Sequence, residues 1–135
     1  MAASRKFNAT PERSPRPFDR DRDGLVIGEG ATTLVLESLE RAQQRGAEIY
    51  GEIVGFATNA DGAHLVRPQQ ATQETVMRTA LSSAGLEPGQ IGYVSAHATA
   101  TDRGDVIESV GTHNVLGQVP ISAMKSYTGH TLGAC

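Results

Sequence analysis

Two polar stretches in the second half of the chain carry side chains that could act together in catalysis. The stretch HATATDRGD runs from His97 to Asp105, and Glu108 follows one helical turn later. The stretch KSYTGH runs from Lys125 to His130. Neutral imidazoles donate N–H groups, so two histidines placed together can stabilise the negative charge that develops on a carbonyl oxygen. The two stretches therefore predict an oxyanion-stabilising site.

Each of these residues also has a purely structural interpretation. A histidine at a strand end commonly just satisfies a hydrogen bond, and a lysine commonly lies in solvent. Thr99 and Thr101 suit an extended segment, and Thr101 or Asp102 could cap the helix that follows. The catalytic interpretation is favoured by the grouping of two histidines, a lysine and an acid beside glycine turns, and not by any single residue.

Two other chemistries fit the sequence less well. His97 and His130 could both bind zinc, but a third soft ligand at a suitable spacing is missing, and Cys135, five residues after His130, is a poor partner for it. A serine hydrolase would need a nucleophile in a G-x-S-x-G turn, which the sequence lacks. We therefore predict no metal site and no nucleophilic serine.

The acidic run DRDRDG, from Asp19 to Gly24, matches the first half of an EF-hand calcium loop. Such a loop closes with a bidentate carboxylate at its twelfth position, where this chain has Gly30, and Glu29 comes one residue too early. Pro17 is incompatible with an ordinary incoming helix. We interpret the run as a solvated turn with Asx-type hydrogen bonds and arginine pairing, with a calcium-binding or structural module as the minor alternative.

Composition limits the size and the partners of the protein. A chain of 135 residues allows at most one domain with a substantial core. Its formal charge of −3, without a continuous basic stripe, argues against nucleic acid or an anionic membrane surface as the main partner. No apolar run approaches the roughly 18 residues of a membrane span. The single cysteine cannot form an internal disulfide, which predicts a reducing, cytoplasmic location.

The pattern of apolar residues predicts an α/β layered fold, because β-branched runs alternate with helical ones. In such sheets, ligand groups gather beyond the carboxyl ends of the strands, where His97 and His130 fall. Residues 1–18 are predicted to be a loop or flexible lead-in. Strands are predicted at 30–36, 49–60, 91–97 and 119–126, helices at 37–45, 69–84 and 104–116, a loop at 61–68, and a further helix or turn from 128.

Three blocks resemble successive motifs of the β-ketoacyl-[acyl-carrier-protein] synthases, the elongating condensing enzymes of fatty-acid and polyketide synthesis. They are residues 17–61, which include PFDRDRDGLVIGEG, the block AHATATDRGDVIES and the block KSYTGHTLGA. The family motifs H-G-T-x-T-x-x-G-D-x-x-E and K-S-x-x-G-H both occur, in the family's order. The resemblance implies a thiolase-like α-β-α fold, of which residues 19–135 would form part, mostly the second half and truncated at both ends. The implied reaction is decarboxylative condensation of malonyl-carrier protein with an enzyme-bound acyl thioester.

The resemblance implies a role for each residue of the two chemical stretches. His97 and His130 would hydrogen-bond the malonyl thioester carbonyl, so that decarboxylation leaves a stabilised enolate. Lys125 would be the lysine of the site and Glu108 the acid that pairs with it, together orienting the imidazoles. The other matches are two threonines that contact the phosphopantetheine arm and three residues that shape turns: Thr99 and Thr101, and Gly104, Asp105 and Gly129.

The resemblance also implies the partners and the cofactor requirement. Acyl carrier protein would present the malonyl group on its own phosphopantetheine arm, so no resident cofactor is expected. The full-length form would be a homodimer, or a heterodimer with a related synthase, with no nucleic acid and no membrane span.

Several departures from the family pattern limit what the chain alone could do. The family's nucleophilic cysteine lies upstream of everything here, and its glycine-rich C-terminal motif is missing. Cys135 stands where the family carries a small residue, so we interpret it as a small buried thiol and not as the nucleophile. Ala98 replaces the usual glycine, and we expect an extended backbone there, which would make the change mild. We therefore expect a fragment that is inactive alone, with a non-catalytic chain-length-factor type of partner subunit as the alternative.

Overall fold

The computed structural model describes residues 3–63 and 67–134. Its centre is a β-α-β unit in which the strands β1 (Val94–Ser95) and β2 (Ile121–Ser122) pair in parallel, with Val94 opposite Ile121 and Ser95 opposite Ser122. The chain between these strands forms helix α3 (Asp102–Leu116), which is the usual crossover between two parallel strands. The elements are α1 (Leu39–Gln44), α2 (Gln70–Ala84), β1 (Val94–Ser95), α3 (Asp102–Leu116), β2 (Ile121–Ser122) and α4 (Lys125–Thr128), with 3₁₀ turns at Pro11–Arg13, Pro88–Gln90 and Leu132–Ala134.

The predicted helices are confirmed with small shifts at their ends. Helix α1 begins after Ser38, whose side chain accepts the Arg41 N–H. Helix α2 ends at Gly85, whose φ of +65° is the left-handed conformation that commonly terminates a helix. Helices α2 and α3 pack together at Gly111, where a Cβ atom would lie 3.6 Å from the Glu74 side chain. Local capping thus defines the start of α1 and the end of α2.

Helix α3 begins earlier than predicted, because the Thr101 side chain accepts the Gly104 N–H and caps it. Of the two cap candidates, Thr101 is therefore the one used. Val106 and Val110 lie at helical spacing but are 51% and 42% exposed. The buried side of the helix consists instead of Asp105, Gly111, Thr112 and Val115.

The predicted strands at 30–36 and 49–60 are not formed. Both stretches are irregular, and Leu34, Val35 and Leu36 are 77%, 87% and 71% exposed. The strands at 91–97 and 119–126 shrink to two residues each in β1 and β2. A β-branched run becomes a strand only when a neighbouring strand supplies backbone partners. Among the described residues, β1 and β2 pair with each other, and isolated bridges join Ala3 to Leu25 and Ile27 to His130.

We expect the isolated chain to bind hydrophobic dyes and to self-associate, because apolar side chains such as Leu34, Val35 and Leu36 face solvent. Sedimentation velocity and dye fluorescence on the purified 135-residue chain would measure both properties. A monomer with one cooperative thermal transition and no dye binding would contradict this expectation.

The N-terminal stretch is irregular apart from the 3₁₀ turn that Pro11 begins, and it is tied to the acidic run. Asp23 accepts hydrogen bonds from the Ser4 hydroxyl at 2.6 Å and from the Arg5 and Lys6 N–H groups at 2.7 and 2.6 Å. Asp19 accepts the Asp21 N–H at 2.7 Å, which is the predicted Asx-type contact. The carboxylates of the DRDRDG run are therefore occupied by groups of the protein itself.

Two negative findings concern only the described residues. No group of three or more His, Cys, Asp or Glu side chains among residues 3–63 and 67–134 is arranged to hold a metal ion. Within the same ranges, no helix is both long enough and apolar enough to cross a membrane.

Candidate active site

The structure brings the two predicted histidines together. His97 lies two residues after the end of β1, and His130 lies two residues after the end of α4. Their ring centroids are 5.1 Å apart and the rings meet edge to face, with an angle of 85° between their planes. The parallel pairing of β1 with β2 brings about this meeting, because it places the ends of both strands at one edge.

His130 is held by a close crossing of two backbone segments. Its N–H donates to the Val26 carbonyl at 2.7 Å, and its carbonyl accepts the Gly28 N–H at 3.1 Å. Gly129 has a φ of +67°, and a Cβ there would lie 3.0 Å from the Gly28 nitrogen. A Cβ on Gly28 would lie 1.9 Å from the Thr128 carbonyl oxygen. Gly129 was among the predicted site residues and Gly28 was not, although a glycine in an apolar run is a known sign of close backbone approach.

The hydrogen bonds to the two rings define where each neutral imidazole carries its proton. The Leu132 N–H donates to Nδ1 of His130 at 3.1 Å. The Lys125 ammonium, which can only donate, lies 3.5 Å from Nδ1 of His97. With Lys125 as an ammonium group, Nδ1 is the accepting nitrogen of both rings, which favours the tautomer with the proton on Nε2. Each ring is thereby set up as an Nε2–H donor.

Both rings are favoured in the neutral form at pH 7. Burial lowers the pKa of His97, and the positive charge of Lys125 lowers it further. Burial, followed by the charge of Lys125, also lowers the pKa of His130. Both values therefore lie below the usual histidine value of about 6.5. A neutral donor is the form that can meet a developing oxyanion without first losing a proton.

The predicted ion pair between Lys125 and Glu108 is not formed; the ion pairs of the described residues join other side chains. The Glu108 carboxylate instead accepts the N–H groups of His97 and Ala98, one on each oxygen, at 2.7 Å each. Lys125 is buried, at 6% exposure, and lies beside the His97 ring. The expected acid–base pair is replaced by a lysine–imidazole contact and a carboxylate–backbone contact.

The backbone of the loop from His97 to Thr101 is also not as expected. Ala98 has a φ of +30°, so the expectation of an extended backbone at that position is wrong. Ala100 has a φ of +62°, and both alanines are 1% exposed. The left-handed region costs an L-residue about 1–2 kcal/mol. The loop after β1 is therefore strained, and other contacts must stabilise it.

The acidic run supplies part of that stabilisation. Asp105, which is 1% exposed, accepts the Phe18 N–H at 2.8 Å and lies 3.7 Å from Nε of Arg22. Burial raises the pKa of the Asp105 carboxyl. Arg22 in turn donates to the Thr101 carbonyl at 3.2 Å. Phe18 and Arg22 could not be predicted from the sequence, because their partners lie about 80 residues away.

The remaining predicted residues lie at the start of α3. The hydroxyls of Thr99 and Thr101 are 3.1 Å apart. Thr101 also accepts the Gly104 N–H at 3.2 Å. A Cβ at Gly104 would lie 2.4 Å from the Thr101 hydroxyl oxygen, so only glycine fits there without a shift. Cys135 lies outside the described residues, and so does the interpretation of its thiol as buried.

A cavity of about 580 Å³ opens beside His97 and Lys125. Its lining also includes Gly30, Thr32, Met124 and Thr128. A second cavity of about 380 Å³ lies near the C-terminal end of α3, beside His113, and its lining includes neither His97 nor Lys125. The larger cavity is therefore the one that borders two residues of the predicted site, His97 and Lys125.

Comparisons with known proteins identify the family of the chain. The family model of the β-ketoacyl synthase C-terminal domain matches residues 50–135. The chain belongs to the β-ketoacyl synthase family. This bears out the resemblance seen in the sequence, and the thiolase-like fold with it.

Three relatives illustrate how far the match extends. The mitochondrial 3-oxoacyl-[acyl-carrier-protein] synthase of Arabidopsis thaliana is 45% identical over 98% of this chain and 31% of its own length. A β-ketoacyl synthase from Burkholderia phymatum superposes with a TM-score of 0.96 at 56% identity, over 99% of this chain and 33% of that one. A ketosynthase structure in complex with its type II polyketide acyl-carrier protein (AntDE:AntF) matches with a TM-score of 0.92 at 37% identity, over 98% of this chain and 34% of that one. The chain thus spans about a third of the length of the synthases it matches.

We predict that replacing Lys125 with methionine raises the pKa of both His97 and His130. The variant removes a positive charge that lowers both values, so the rings become cationic at a higher pH. An NMR titration of the ring nitrogens measures the change. The exposed Lys6, replaced in the same way, is the control, and unchanged pKa values of both rings in Lys125→Met would contradict the prediction.

Proposed function

We propose that this chain supplies the decarboxylating part of a 3-oxoacyl-[acyl-carrier-protein] synthase. The observation that carries the proposal is the meeting of the His97 and His130 rings, with centroids 5.1 Å apart and Nδ1 of each ring facing a donor. Two neutral Nε2–H groups at one place can stabilise a single oxygen that gains negative charge. The retention of both rings at one site favours this activity over a non-catalytic partner subunit.

The proposed reaction begins with a malonyl thioester. Its thioester carbonyl oxygen accepts hydrogen bonds from Nε2 of His97 and of His130. The bond between the α-carbon and the carboxylate breaks, carbon dioxide leaves, and the electron pair stays on the α-carbon as an enolate. The enolate carbon then attacks the carbonyl of an acyl thioester and expels the thiolate. Fixed donors lower the barrier because they interact more strongly with the enolate than with the neutral carbonyl.

The partners follow from this chemistry and from the relatives. We propose acyl carrier protein as the carrier of the malonyl group, which it would present on its own phosphopantetheine arm, with no resident cofactor. Thr99 and Thr101 are the residues proposed to contact that arm. The acyl thioester would be carried by a cysteine in the remainder of a synthase of the relatives' length, and not by Cys135. We propose that the full-length synthase is a dimer. We also propose that it lies in a reducing compartment, the cytoplasm or the mitochondrion.

A chimera provides the test. In it, the 135 residues of this chain replace the matching third of the Burkholderia phymatum synthase, which is 56% identical. We expect this chimera to release carbon dioxide from malonyl-carrier protein and to form 3-oxoacyl product. A folded chimera that performs neither step would overturn the proposal and favour the chain-length-factor alternative.

We predict that the 135-residue chain on its own forms no condensation product. The reason is chemical: the proposed acyl thioester has no cysteine among residues 1–134 to carry it. Incubation of the purified chain with acyl- and malonyl-carrier protein, followed by mass spectrometry of the carrier-bound product, measures this. Product at the rate of the chimera would contradict it.

A further inference from the structure

We propose that Glu108 is a positioning residue whose carboxylate holds Ala98 in its left-handed conformation and so directs the His97 ring toward His130. The catalytic consequence rests on the proposed function, whereas the structural part does not. In this role Glu108 acts through the backbone and not as the partner of Lys125.

The conformation of Ala98 is not one that alanine adopts by preference. Its φ of +30° brings its Cβ close to backbone atoms, a cost that glycine would not carry. Ala98 is also 1% exposed, so solvent does not stabilise the turn. A fixed interaction must therefore hold the backbone at this point.

Glu108 provides that interaction. The N–H groups of His97 and Ala98 are consecutive, and both point at the same carboxylate, with 2.7 Å between donor and acceptor in each case. Consecutive N–H groups converge on one anion only where the backbone turns sharply, often with one residue in the left-handed region. Hydrogen bonds to a charged acceptor at such short distances are about twice as strong as neutral ones. The carboxylate thus stabilises the turn that the alanine side chain disfavours.

This turn determines the direction of the His97 ring. His97 is the first of the two residues held, and its ring meets His130 edge to face. If the turn relaxed to an extended backbone, the bonds that fix the His97 main chain would be lost. The Lys125 contact with Nδ1 would then have to orient the ring alone, across 3.5 Å.

The test is a double-substitution cycle in the chimera. Glu108→Gln keeps the size of the side chain but replaces one acceptor oxygen with a donor NH₂ group, so one backbone N–H loses its bond. We expect kcat for decarboxylation to fall about 10–100-fold with little change in KM. Adding Ala98→Gly to Glu108→Gln should raise kcat at least about fivefold above that of Glu108→Gln alone, because glycine adopts the turn without help.

The matched control is Ala96→Gly. Ala96 is also buried, at 8% exposure, but its φ is not positive, so glycine there should give no rescue of Glu108→Gln. If Glu108 acted only through its charge, its removal would move the acid limb of the pH–rate profile downward, since that charge raises the pKa of His97. Ala98→Gly would then restore nothing, and the proposal would be overturned.

Urea unfolding of the same variants separates this inference from the proposed function. We expect Glu108→Gln to lower the unfolding midpoint and Ala98→Gly to recover part of the loss, whether or not the chimera is active. If Glu108→Gln fails to fold, folding of the Glu108→Gln, Ala98→Gly double variant supports the proposal. If the double variant also fails to fold, or if the two effects add independently, the proposal is wrong.

Discussion

Replacing His130 with alanine is expected to lower the rate of malonyl decarboxylation by the chimera about 10²–10³-fold. This is the usual loss when one donor to a developing oxyanion is removed. The centroid of the His130 ring lies 5.1 Å from that of His97, and its Nδ1 accepts the Leu132 N–H, which leaves Nε2–H as the donor of the neutral ring. The rate of carbon dioxide release from malonyl-carrier protein, measured with an acylated enzyme, checks the prediction.

The chain offers a matched control for this substitution. His113 is exposed on α3, outside the cavity that His97 lines, and His113→Ala should leave the rate within about twofold of the parent. His130→Ala removes the acceptor of the Leu132 N–H but keeps the backbone hydrogen bonds to Val26 and Gly28, so we expect it to fold, and urea unfolding checks this. A loss below tenfold in a folded His130→Ala variant would show that the ring does not stabilise the reaction.

Replacing Gly28 with alanine is expected to abolish detectable decarboxylation and to lower the free energy of unfolding by about 3 kcal/mol, the upper end of the usual cost of overpacking. The added Cβ would lie 1.9 Å from the Thr128 carbonyl oxygen, and this neighbour is backbone and not a flexible side-chain end. The two segments would have to separate, which would break the bond from the His130 N–H to Val26. Urea unfolding and the decarboxylation assay measure the two effects.

Gly51 is the control for Gly28. A Cβ at Gly51 meets no atom within 4 Å, and its φ is not in the left-handed region, so Gly51→Ala should be nearly neutral. If Gly28→Ala keeps the parent's unfolding midpoint and rate, the close crossing does not position His130.

The sequence was sufficient for features that depend on local chemistry. Gly85 ends α2 and Thr101 caps α3 through contacts within a few residues. Both histidines were identified from the motifs that contain them. The acidic run was recognised as a hydrogen-bonded turn because the missing carboxylate at Gly30 is itself a local feature.

Features that depend on distant partners were missed or misjudged. The run from Gly30 to Leu36 has strand propensity, but the described part of the chain offers it no partner, so it stays irregular. Arg22 reaches the loop after β1 across 79 residues of sequence, which no periodicity reveals. The prediction of a Lys125–Glu108 ion pair was wrong because the Glu108 carboxylate accepts two backbone N–H groups instead, and a sequence motif does not display such donors.

The most direct measurement is a pH titration of the ring nitrogens of His97 and His130 by ¹⁵N NMR, on the chimera with labelled histidine. At pH 7 we expect both rings to be neutral with the proton on Nε2, and both to become cationic only below about pH 6.5. A cationic ring at pH 7, or a proton on Nδ1 of either residue, would contradict the proposal that two neutral donors meet one oxygen.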